Sequence, residues 1–142
     1  MGNKKYALIS LFSNLFLLLF AVCALVGINI EVAAVQSAPP TEGLDFRGLS
    51  IGILTIFAAL LLIYGGVVLI NVILGSLQLG TGKWGFAIPS LVFGIILLIA
   101  NLLFLITAVN DGGLATMLIA VPVAVASLAS LIANGRSIAT RD

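Results

Sequence analysis

The sequence predicts an all-helical integral membrane protein, with four transmembrane helices in an up-down-up-down bundle that forms a single domain over residues 1–142. Three observations carry that expectation. The chain is 62% hydrophobic and 8% charged, with a mean hydropathy of +1.33. Soluble domains are about a quarter charged, and five acids with six bases cannot coat a water-solvated globule of this size. Four apolar stretches, at about 6–30, 49–77, 86–109 and 114–133, each reach the ~20 residues that cross ~30 Å of hydrocarbon. Finally, Lys4, Lys5, Lys83, Arg136 and Arg141 all fall on one side of the four-span map. Because basic residues are retained on the inside, both termini are expected to be cytoplasmic, in a bacterial or archaeal plasma membrane.

The first stretch is read as helix because a spanning segment must satisfy its own backbone polar groups, and the strict alternation that a barrel requires is absent. Lys4-Lys5 before an apolar run also fits the start of a signal peptide, but the run exceeds the ~7 to 15 residues of a signal core. Phe12, Phe16 and Phe20 repeat every fourth residue and are expected to face lipid or a partner, whereas Cys23 reads as a small buried filler. The exterior segment 31–48 contains Pro39-Pro40, which interrupts any helix through its middle, and Asp45 is placed to cap the second helix. The segment fits a partner-contacting cap and a solvated tether equally well.

The second stretch is the longest, at about 29 residues or about 43 Å of helix, so it must tilt or protrude. It leads into Gly80-Thr81-Gly82-Lys83-Trp84-Gly85, which has the letters of the dinucleotide-binding G-x-G-x-x-G. That motif works between a strand and a helix of a soluble unit. Here the string joins two spans and reads as a turn, with Lys83 and Trp84 as interface anchors. Pro89 falls in the first turn of the third helix, where its missing donor costs little. The short Asn110-Asp111-Gly112-Gly113 connection makes the last two helices a hairpin, and Pro122 should bend the fourth.

Within the spans, Asn14, Asn71, Ser90 and Ser127 are expected to form one layer to which all four helices contribute. Its structural reading is interhelical hydrogen bonding, each bond worth about 0.6 to 2 kcal/mol. Its functional reading is a polar constriction. Asn101 is placed farther along, near the level of Cys23. Small residues mark the faces expected to be covered by protein: Gly48, Gly52, Ala59 and Gly66 in the second helix, with Ala58 and Gly65 alongside, Gly94 and Ala108 in the third, and Ala120 and Ala124 in the fourth. A sevenfold spacing, as in Ala7, Asn14 and Ala21 or Gly94, Asn101 and Ala108, implies near-parallel left-handed crossings.

No catalytic, cofactor or metal site emerges from these residues. The spans hold no acid, base or histidine, so proton or ion coupling through a membrane carboxylate is excluded. One cysteine forms no internal disulfide, and the chain has no histidine to serve as a general base. A net charge of +1 without a basic run excludes nucleic acid as a partner. Four spans with a larger first exterior loop resemble claudin-type and tetraspanin-type scaffolds in topology alone, since the tryptophan and paired cysteines of those loops are missing. The expected role is that of a non-enzymatic accessory or structural protein, bathed in lipid and packed against other membrane proteins or itself. The alternative is a small oligomeric channel or carrier for a neutral solute, lined by the Asn/Ser layer.

Overall fold

A computed structural model describes residues 2–37 and 47–140, and every long element in it is an α-helix. α1 spans Gly2–Ser37, α2 Arg47–Thr81, α3 Ala87–Asp111 and α4 Leu114–Ala139, with one 3-10 turn, Trp84–Phe86, ahead of α3. All four helices are long and apolar enough to cross a membrane, as the hydropathy requires.

The helices outrun the boundaries read from sequence. α1 continues through Glu31 to Ser37, so the segment expected to be loop from residue 31 is helical for its first two turns. α2 extends to Thr81 and α4 to Ala139. Hydropathy falls at the first polar residues, but a helix goes on wherever its backbone can still bond internally. Pro39, Pro40 and the Asp45 cap lie outside the described residues.

α1 packs against α2 and α4, and α3 against α4, while α2 and α3 meet less extensively. Leu17, Val68, Leu97 and Val123, one from each helix, form the shared apolar core. The buried residues recur at alternating spacings of three and four. In α1 they are Ala7, Ser10, Asn14, Leu17 and Ala21, and in α4 they include Ala120, Val123, Ser127, Ser130, Asn134 and Ser137. That is the spacing of a left-handed seam, in which a stripe repeating every seven residues stays on the partner. α2 passes close to α1 at Gly75, where an added Cβ would make ordinary contact, 3.6 Å from the Leu11 Cα.

Among the described residues, two inter-helix connections are built from glycine for different reasons. Gly82 has φ 72°, a left-handed conformation that glycine adopts without penalty. Its N–H closes α2 by donating to the Gln78 carbonyl at 2.8 Å. At Gly112 the limit is space, because a Cβ would lie 2.8 Å from the Ala108 carbonyl oxygen and 3.0 Å from the Thr116 Cβ.

Candidate functional site

Two places in the bundle carry chemistry, one polar and one apolar. The polar centre lies where α1 adjoins α2 and α4. Asn14 is fully buried there, and its Nδ2 donates to the Ser130 Oγ at 2.9 Å and to the Ser10 carbonyl at 2.9 Å. The Ser10 and Ser130 hydroxyls are 3.3 Å apart, completing a triangle between α1 and α4. A second link ties α3 to α4, with Asn134 Nδ2 donating to the Ser90 Oγ at 3.0 Å. Ser127 turns back on its own helix and donates to the Val123 and Ala124 carbonyls.

All four residues expected to form the polar layer are therefore buried, but they are not joined to one another. Asn14 pairs with Ser130 rather than with Asn71, and neither side-chain polar atom of Asn71 has a protein partner. Gln78 is buried with both polar atoms unpartnered, as are the Ser137 hydroxyl and the Oδ1 atoms of Asn14 and Asn134. The sequence reading missed Ser10, Gln78, Ser130, Asn134 and Ser137. Three of them fell beyond the expected helix ends. The available signal was spacing: Gln78, Asn134 and Ser137 each follow a buried polar residue by one heptad.

The small faces divide. Gly94, Ala108, Ala120 and Ala124 are buried within the bundle, as expected of faces covered by protein. In α2 the outcome is the reverse. Gly48, Gly52, Ala59 and Gly66 are exposed, and a Cβ added at Gly48, Gly52 or Gly66 would meet nothing within 4 Å. The face that α2 turns to its own chain carries Val68, Asn71, Gly75 and Gln78, with Gly65 alongside, where an added Cβ would sit 3.7 Å from the Ala21 Cβ. Tyr64, Asn71 and Gln78 follow the heptad that sets this face, and Gly66, two residues from Tyr64, is turned about 200° away. A run of small residues identifies a face that allows close approach without identifying the neighbour.

The apolar site is a cleft of about 1170 Å³ beyond the Leu17–Val68–Leu97–Val123 layer, open on one side and walled by all four helices. Phe20 anchors it, with its ring edge-on to Tyr64 at 6.2 Å and tilted against Phe104 at 5.9 Å. Tyr64 Oη donates to Asn101 Oδ1 at 2.9 Å, leaving Asn101 Nδ2 without a protein partner in a side chain that is 2% exposed. Cys23, expected to be a buried filler, is instead exposed and lines this cleft. The helices separate here, leaving its thiol uncovered by its own chain. Of the phenylalanine line, Phe12 and Phe16 are exposed and Phe20 is packed inward.

Lys83 is exposed and Trp84 half-buried at the turn into α3, positions suited to interface anchors. Among the described residues no group of His, Cys, Asp and Glu is assembled that could hold a metal. No family model, curated protein or solved structure matches the chain.

Proposed function

We propose that this chain is a non-enzymatic, multi-pass membrane protein that works by packing against another membrane protein through the back of α2. One observation carries the reading: no residue of α2 is fully buried over residues 47–67, since Val68, Asn71, Gly75 and Gln78 all lie beyond that stretch. Gly48, Gly52, Ala59 and Gly66 run along the side turned away from the bundle. Apolar area alone does not drive helices together in lipid, so association depends on close packing across small-residue faces. This face therefore suits a neighbouring span better than it suits the chain's own helices.

The accompanying topology is an up-down-up-down course with both termini cytoplasmic in a bacterial or archaeal plasma membrane. Support comes from the basic residues and from the pairings of Leu11 with Gly75, Asn14 with Ser130 and Ser90 with Asn134, each joining an early residue of one helix to a late residue of another. Gentle solubilisation of the native membrane, followed by mass measurement of whatever carries this chain, tests the proposal. Recovery in a defined larger assembly supports it, and recovery as a lone monomer overturns it.

A second reading, a carrier or channel for a small neutral solute, is favoured by the unpartnered amides of Asn71 and Gln78 in the polar centre. Buried amides left unsatisfied by protein are costly unless water or a polar solute reaches them. Glycerol or urea flux into proteoliposomes, abolished by Asn71→Leu in a chain that still assembles, favours this reading over the first.

A further inference from the structure

α1 and α2 change character at one level of the bundle. The last fully buried residue of α1 is Ala21 and the first of α2 is Val68, and the helices adjoin near that level, since a Cβ on Gly65 would lie 3.7 Å from the Ala21 Cβ. Beyond it, 22–37 of α1 and 47–64 of α2 hold no fully buried residue, whereas α3 and α4 still bury Ala108 and Ala120. The same two stretches are also long. From Tyr64 to the start of α2 is about 25 Å of helix, and from its partner Asn101 to the end of α3 only about 15 Å.

Gly65-Gly66 stands at the boundary between the packed and unpacked parts of α2. Packing within the chain calls for neither glycine, because a Cβ at Gly65 would make ordinary contact and one at Gly66 would meet nothing within 4 Å. The docking face gives Gly66 a use and leaves Gly65 without one. Glycine is the poorest helix former after proline, and glycine pairs are among the places where helices kink. Past this pair the cleft separates Cys23 and Leu60 from Ala100 and Ile119. Two contacts bridge the helices there: Tyr64 Oη donates to Asn101 Oδ1 at 2.9 Å, and the Phe20 ring lies 5.9 Å from that of Phe104.

We propose that the outer parts of α1 and α2 form a jaw that swings against the α3–α4 hairpin about Gly65-Gly66, with the Tyr64–Asn101 hydrogen bond as its latch. The inner half is the fixed base, where Asn14, Ser10 and Ser130 tie α1 to α4 and Leu17, Val68, Leu97 and Val123 close the axis. Opening breaks one hydrogen bond and parts two rings. It meets little other resistance, because lipid entering the cleft solvates apolar faces as well as they solvate each other. Gly48, Gly52 and Ala59 ride on this jaw, but the motion belongs to the isolated chain and stands whether or not a partner docks there.

The test uses the purified full-length protein in lipid nanodiscs, in a Cys23→Ser background, with nitroxides on Leu49→Cys and Leu114→Cys and their separation read by pulsed double electron–electron resonance. Both positions are exposed, as are Ile73 and Ile132, which carry the control pair in the inner half. Gly65 to Leu49 makes a lever of about 24 Å, so a bend of about 20° moves its tip by about 8 Å. The jaw pair is expected to show two distances or one broad distribution on that scale, and the control pair a single narrow one. Tyr64→Phe should raise the ratio of open to closed by about twofold to tenfold, the factor one hydrogen bond supplies. Gly65→Ala with Gly66→Ala, for which the bundle has room, should narrow the jaw pair to the shorter distance. A single narrow jaw distance in both the unlatched variant and its parent overturns the proposal, as does breadth that survives the two alanines or a ratio that Tyr64→Phe leaves unchanged.

Discussion

At the scale of single residues, Asn14 and Asn71 look alike in the sequence, each a lone amide in an apolar run, but they occupy opposite situations in the bundle. The Asn14 side chain donates to Ser130 and Ser10, whereas the Asn71 side chain has no hydrogen-bond partner among the described residues. Asn14→Leu should therefore lower the melting temperature in detergent, by the equivalent of about 0.6 to 2 kcal/mol. Asn71→Leu is expected to leave it unchanged or raise it, because replacing an unpaired buried amide with an apolar side chain removes a desolvation cost. A loss of stability at Asn71 equal to that at Asn14 would show that the amide has a partner such as bound water. Burial of these residues was legible from sequence, since a polar group in a span avoids lipid. Their pairing was not, because it depends on the rotation of one helix against another, which hydropathy does not encode.

At the scale of the element, sequence gave the number and kind of helices through length and apolarity, and missed where they stop. α4 illustrates why: Asn134 and Ser137 end the hydrophobic run, yet both are buried on the seam that begins at Ala120. The small-residue stripe of α2 is not the face turned to its own chain, which follows the heptad through Tyr64, Asn71 and Gln78. The connections supply a sharper test. Gly112→Ala places a Cβ against the Ala108 carbonyl and should cost about 1–3 kcal/mol, the usual range for overpacking. Gly113→Ala, where a Cβ meets nothing within 4 Å, should shift the melt far less. Gly82→Ala should be destabilising by about 1–2 kcal/mol, because its left-handed backbone penalises a Cβ.

At the scale of the whole molecule, the interplay of faces matters more than any single site. Gly66→Leu should leave the melting of the isolated chain within about 0.5 kcal/mol of wild type, since that position is open, while reducing the mass of the assembly recovered from native membranes. Equal masses for the variant and the wild type would place the contact elsewhere. Topology is checked with single cysteines in a Cys23→Ser background: Gly113→Cys is expected to label from outside intact cells and Gly80→Cys is not, both at positions where an added Cβ meets nothing within 4 Å. The cleft was invisible in the sequence because it arises where helices separate, and only Asn101, noted for lying apart from the other amides, pointed towards it.

α4 is the least apolar of the four spans, with a window hydropathy of 2.2 against 2.5 to 2.8 for the others, and it supplies the partners of Asn14 and Ser90. During synthesis it leaves the ribosome after the helices it satisfies. Until it docks, Asn14 keeps only its bond to the Ser10 carbonyl within α1, and Ser90 lacks the Asn134 amide. The first three helices thus carry bonding capacity that only the last one fills, and docking of α4 completes the polar contacts of the bundle.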